Sequence, residues 1–208
     1  MSNPNPTHVV TGKVRFSYAH VFQPYSQNQG QEPKYSTTIL VPKTDAQTKA
    51  LIDAAVQAAI QAGANKFGAQ WPPQPNICIH DGDGVRPNTG APFSEECKGH
   101  WVFTAKSKDQ PKVVDASMQP IINPGDFYSG CYGRVSVDFY PYNSNGRKGI
   151  GCGLQNVQKL EDGQPLGNRT TAEDDFGETA PVVGQPQMAP NPYAVPAAQP
   201  NPYAVPGQ

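Results

Sequence analysis

No stretch of this 208-residue chain stays apolar for the roughly 20 residues that a membrane-crossing helix needs, which excludes such a helix. The opening MSNPNPTHVV has neither the basic lead nor the apolar run of a secretory signal, so the protein is expected to stay where it is made, and the sequon at Asn168, Arg169 and Thr170 is then idle. Cysteine is sparse: Cys78, Cys97, Cys131 and Cys152 form no C-x-x-C pair. That excludes a redox motif and, in a reducing compartment, a disulfide framework, so buried thiols are expected. A G-x-x-x-x-G-K-S/T loop is missing, and GIGCGL carries Leu154 where a dinucleotide fingerprint needs its third glycine.

Convergent acids, bases and nucleophiles are missing as well. Cys78, His80, Cys97 and His100 could make a zinc set, but a one-residue first spacing is unusual for a structural site. The DGDG at Asp81 lacks the later oxygen ligands of a calcium loop and reads as a turn. A metal-dependent nuclease built on Asp81, Asp83 and Glu95 is the best enzymatic rival. No cofactor and no metal are expected, and the chain reads as a non-enzyme.

What the chain has is an uneven charge. Residues 1–160 hold 15 Lys and Arg against 11 Asp and Glu, a net +4, while residues 161–208 hold 1 against 6, a net −5. A mildly basic body with an acidic appendage suits a polyanion-binding domain whose tail competes for the same surface. The last thirty residues contain eight prolines and repeat APNPYAVP as QPNPYAVP at a spacing of ten. Such composition cannot bury enough apolar surface to offset its ordering entropy, so residues 161–208 are expected to be a disordered acidic and Pro-rich tail after a folded domain at 1–160.

Within the body, TDAQTKALIDAAVQAAIQAGANKFG reads as one amphipathic helix. Thr44 and Gln47 stand in capping-box spacing, Leu51, Ala55 and Ala59 lie beside Ile52, Val56 and Ile60, and Gly63 or Gly68 ends it. HVVTGKVRFSYAHVF alternates as one strand, with Val10, Val14, Phe16 and Tyr18 on one side and Thr11, Lys13, Arg15 and Ser17 on a basic solvent side. KYSTTILVP, HWVFTAKSKD and PKVVDA are further strands, and Asn145-Gly146 marks a hairpin. The fold class is mainly β: a small, closed or half-closed barrel of OB-like type with one helix.

The segment NPGDFYSGCYGRVSVDFYPY carries six aromatics, an arginine and three glycines. Strand parity puts Phe127, Cys131, Val135, Val137 and Phe139 on a core face. Tyr128, Tyr132, Arg134, Tyr140 and Tyr142 fall on the other face, where rings can stack bases and cations can follow phosphates. Gly149, Gly151 and Gly153 across the hairpin leave room for a close approach. The competing reading is cross-strand tyrosine packing that only stabilises the sheet.

The phrases EPKYSTTILVPKTD, AKSKDQPKVVD, YSGCYGRVSVDFYPYNSNGRKGIGCGLQNVQKLEDGQPLG and AEDDFG, in this order over residues 9–177, resemble the signature blocks of a tailed-phage single-stranded-DNA-binding protein family. The resemblance implies an OB-type barrel, an acidic C-terminal region, single-stranded DNA as partner, and a role in phage replication or recombination in the cytoplasm of the infected bacterial host. Here AEDDFGE is followed by thirty more residues. The candidate DNA contacts are Tyr128, Tyr132, Tyr140 and Tyr142 as stacking rings, with Arg134, Arg147, Lys148, Lys106, Lys108, Lys112, Lys13 and Arg15 along the phosphates. Glu173, Asp174, Asp175, Phe176 and Glu178 are the candidate regulatory cluster, competing with DNA and recruiting replication or recombination proteins. No membrane partner is expected, self-association is left open, and a virion or scaffold assembly protein is the alternative.

Overall fold

The computed structural model describes residues 5–26, 30–144 and 146–167; Asn145, the acidic cluster at 173–178 and the proline-rich repeats lie outside them. In chain order the elements are β1 (His8–Val10), β2 (Val14–Tyr25), β3 (Lys34–Pro42), α1 (Ala46–Phe67), β4 (Asn76–Ile77), β5 (His80–Asp81), β6 (His100–Ser107), β7 (Lys112–Val114), β8 (Tyr132–Ser144) and β9 (Arg147–Glu161). No helix among the described residues is long and apolar enough to cross a membrane.

Five strands pair in a ring. β8 joins β2, β2 joins β3, β3 joins β6, β6 joins β9, and β9 returns to β8. Two joints are sparse: β2 meets β8 only at Val14–Gly133 and Arg15–Tyr132, and β6 meets β9 only at Lys106–Gly153. The sheet is therefore a half-open, OB-like barrel rather than a sealed cylinder. Its interior holds Phe16, Ile39, Val41, Phe103, Val135, Val137, Phe139, Ile150 and Leu154, all nearly inaccessible. Each such side chain contributes about 1.5–3 kcal/mol by leaving water.

α1 covers this interior through Ile52, Ala55, Val56 and Ala59, while Leu51 stays exposed. Its cap differs from the expected one. Asp45, not Thr44, is the N-cap, and its carboxylate accepts the Thr48 backbone N–H at 2.9 Å. The same region closes on Gly12, whose N–H donates to Thr48 Oγ1 at 2.8 Å. Gly68 ends the helix in the left-handed region at φ 52°.

The expected first strand is two strands with a changed parity. Val10 faces Ser136 and Val14 faces Gly133, so the β1–β2 side spends one more residue than β8 over the same length. That extra residue flips the pleat. Val9 and Thr11 are buried before it, Val14 and Phe16 after it, and Val10 is exposed. A second irregularity between Ser17 and His20 turns Tyr18 outward, to 59% exposure, while Ser17 is buried. The hairpin after β8 is tight, Ser144 pairing with Arg147 around Gly146 at φ 74°, as a two-residue turn requires.

Residues 81–99 fold over the outside of β3 and β6, burying Leu40, Val102 and Cys97 beneath Phe93. Lys43 holds that excursion through ion pairs to both Asp81 and Asp83. The Lys43 ammonium keeps both carboxyls below their usual range.

Candidate nucleic-acid interface

The registers place the outward side chains in rows across the sheet. Ser36 faces Lys106, which faces Gly153, which faces Asp138; one step along, Thr38 faces Thr104, and Gly151 faces Tyr140. Next to these, Gly149 faces Tyr142. The outer stripe of β9 is thus three alternating glycines set against two tyrosines. Thr38 and Thr104 hydrogen-bond through their hydroxyls at 2.9 Å, leaving a low, polar surface between β3 and β9.

The glycines explain the posture of Tyr140. A Cβ on Gly151 would stand 2.7 Å from the ring's Cζ and 2.9 Å from its Oη, and one on Gly153 would be 3.7 Å from Cε1. The ring therefore lies flat over the β9 backbone in space that side chains would fill, with 47% of the residue still exposed. Gly149 is closed in mainly by Asn76, and only the Oη of Tyr142 comes near it, 3.0 Å from where a Cβ would be. A ring held face-down on one side and open on the other is a stacking surface.

Both rings border a cleft that opens where β6 and β9 diverge and β4 and β5 are inserted between them. Its walls include Asn76, His80, Asn88, Thr104, Lys106 and Cys152. Lys106 is exposed and has no carboxylate partner among the described residues. Burial lowers the His80 pKa and raises the Tyr140 phenol, so neither carries charge at neutral pH. Burial likewise pushes the Cys78 thiol up to about 11 and Cys152 well above its ordinary value. All four cysteines are free; Cys97, Cys131 and Cys152 are buried and Cys78 half-buried. The cleft offers rings, amides, hydroxyls and one ammonium, which can stack, hydrogen-bond and neutralise phosphate. Asp81 and Asp83 are committed to Lys43, and Glu95 to Lys98.

The other nominated residues lie elsewhere. Tyr132 is eight residues before Tyr140 on β8, about 27 Å along the strand. Lys13 and Arg15 flank its ring at 5.3 and 5.5 Å. Lys13 pairs with Glu161, while Arg15 donates to the Gln164 carbonyl at 2.7 Å and the Gly130 carbonyl at 3.2 Å. Tyr128 is not on the strand at all, because β8 starts at Tyr132. Its hydroxyl donates to Asp162 at 2.9 Å and accepts from the Gly163 N–H at 3.2 Å. Together with the Leu166 N–H donating to the Ser129 carbonyl at 2.7 Å, these contacts clamp residues 162–166 as the chain leaves β9.

Arg134 donates to the Thr11 carbonyl at 3.0 Å. Lys148 donates to the Gln70 carbonyl at 2.6 Å, and Arg147 is exposed at the hairpin tip. Lys108 pairs with Glu32 at 2.8 Å, and Lys112 is exposed on β7. The structure therefore unites Tyr140, Tyr142 and Lys106, and separates them from the Tyr128, Tyr132, Lys13 and Arg15 group. His80, Asn76 and Asn88 were not legible as cleft residues, since a two-residue strand and a loop carry no periodic signal. The regulatory candidates Glu173, Asp174, Asp175, Phe176 and Glu178 lie outside the described residues.

The half-open, OB-like barrel is a fold shared with known phage single-stranded DNA-binding proteins. The family model described as Enterobacter phage Enc34, ssDNA-binding protein, matches residues 7–183, and the chain belongs to that family. The solved single-stranded DNA-binding protein from bacteriophage Enc34, in complex with ssDNA, is 31% identical, with a TM-score of 0.67 over 77% of this chain and 90% of that one. Putative protein p50 of Acyrthosiphon pisum secondary endosymbiont phage 1 is 29% identical over 79% of this chain and 90% of its own length. The T7-encoded single-stranded DNA binding protein gp2.5 shares the fold at 16% identity, TM-score 0.55, over 86% of this chain and 97% of that one.

Proposed function

We propose that this protein binds single-stranded DNA without sequence preference, laying bases on Tyr140 and Tyr142 and running phosphates past Lys106, in phage replication or recombination. The observation that carries this reading is the Tyr140 ring held flat on the Gly151–Gly153 backbone beside Lys106, which has no carboxylate partner among the described residues. Flat rings stack any base, because every base has a π-face, and a lysine beside them contributes without reading sequence. The family and the complex of its Enc34 member with ssDNA support the choice of ligand. The direct test is a comparison of homopolymer affinities, which should differ only modestly.

The folded domain at 1–160 is followed in this proposal by an acidic tail that competes with DNA in cis and, once displaced, recruits replication partners. Glu173, Asp174, Asp175 and Glu178 around Phe176 offer charge and a ring, which is what a strand offers, at high effective concentration. Residues 162–166 are clamped by Tyr128 and Arg15, so an informative truncation starts after them. Deleting residues 168–208 should raise single-strand affinity, with the gain shrinking as salt screens both contacts. Deleting only residues 179–208 should change little, because that segment has no charged side chain. Equal titration curves for the two truncations would remove the acidic cluster as competitor.

A further inference from the structure

Beyond β9, residues 162–166 run as a strap across the outside of the barrel, and their course follows one row of the registers. Tyr132 faces Arg15, Arg15 faces Leu40, Leu40 faces Val102, and Val102 faces His80. The strap touches this row in order. Gly163 lies against the Tyr132 ring, where a Cβ would stand 2.7 Å from Cε2 and would collide with the Gly130 carbonyl. The Gln164 carbonyl accepts from Arg15. Leu166 then packs on Leu40, Val102 and Cys97, an apolar cluster separate from the barrel interior.

The row ends at the cleft. Phe93, which covers the same cluster, stacks on His80 with ring centroids 6.2 Å apart, and His80 is a wall of the cleft together with Pro87 and Asn88. From Val102 to Lys106 is four residues along β6, about 13 Å. The end of β9 is much farther away. Glu161 pairs with Tyr132, which lies about 27 Å from Tyr140 along β8. The strap thus carries the chain from the far end of the β8–β9 ribbon to about half that distance from the cleft.

We infer that residues 162–166 are a positioning device, with Leu166 as its anchor, that delivers the acidic cluster at 173–178 to the cleft of Tyr140 and Lys106. This rests on the competing tail proposed above and says how that tail reaches its target. Glu173 is seven residues beyond Leu166, a reach of at most about 25 Å, which covers the span. Without the strap, the same carboxylate is twelve residues from Glu161, at the far end. Effective concentration peaks when a linker matches its span and then falls roughly as the −3/2 power of length, so twelve residues for seven is about 2-fold on length alone. The longer span adds to that loss.

The test is an anisotropy titration at low salt with an oligothymidylate of about 16 nucleotides, long enough for the largest site of one OB fold. Gly163→Ala drives the strap off the Gly130 carbonyl, and Leu166→Ser removes the anchor. In the full chain, each should raise affinity about 2-fold or more, toward that of the protein lacking residues 168–208. In the protein lacking those residues, neither should change it. Leu166 is half-buried at the surface, so its variant carries the test if Gly163→Ala unfolds. Wild-type affinity in the strap variants, alongside a gain on deleting residues 168–208, overturns the delivery and leaves the competing tail standing. Equal gains in both backgrounds also overturn it, because the strap would then act on the cleft without the tail. No gain on deleting residues 168–208 removes the competitor itself, and the delivery with it.

Discussion

Replacing Tyr140 by alanine should weaken single-strand binding about 5- to 150-fold while leaving the melting temperature nearly unchanged. The ring is about half exposed and lies on backbone, so little core is lost. Tyr140→Phe should bind nearly as wild type. Gly151→Ala probes the same device from beneath, because its methyl would occupy the place of the ring and force it upright. Each single change should lower affinity, and the double change should lower it no further than Tyr140→Ala alone, since both act through one ring. If Gly151→Ala weakens binding equally in the presence and absence of Tyr140, the glycine serves the sheet and not the ring.

The largest effect on folding is expected at Gly133. It faces inward at the thin joint between β8 and β2, opposite Val14. A Cβ there would collide with the Gln158 carbonyl and come within 2.9 Å of the Phe16 ring. Backbone cannot yield as a flexible side chain does, so Gly133→Ala should cost about 3 kcal/mol or more. In a domain of this size that corresponds to a fall of roughly 6–12 °C in melting temperature. Thermal denaturation by circular dichroism checks it. An unchanged transition would mean that β2 and β8 do not close the ring as described.

The alternation of β8 is readable in the sequence because a strand buried on one side must repeat every two residues, and Val135, Val137 and Phe139 do so. The hairpin, the helix and the glycines facing the tyrosines follow from equally local rules. Parity fails where a residue is inserted. The extra residue between Val10 and Val14, where the isolated Gly12 is the one local signal, and the bulge at Tyr18, which has none, each reverse the pattern. Tyr128 shows a second limit: alternation continues past the point where the Ser129–Gly130 turn ends the strand, so the pattern groups the ring with β8 although it holds residues 162–163. The cleft itself arises from registers between strands far apart in sequence. Lys106, Gly153 and Tyr140 become neighbours only once β6, β9 and β8 are aligned.

The central claim is that a cationic, ring-lined face grips single strands, and a titration over a salt series tests it most directly. Single-stranded and duplex oligonucleotides of equal length would be measured by fluorescence anisotropy with the full chain. The account predicts that single strands bind more tightly than duplex, and that log affinity falls by about 0.7 per phosphate for each unit of log salt. For about four phosphates that is roughly 50-fold between 50 and 200 mM. Affinity that does not respond to salt, or equal affinity for duplex, would contradict it.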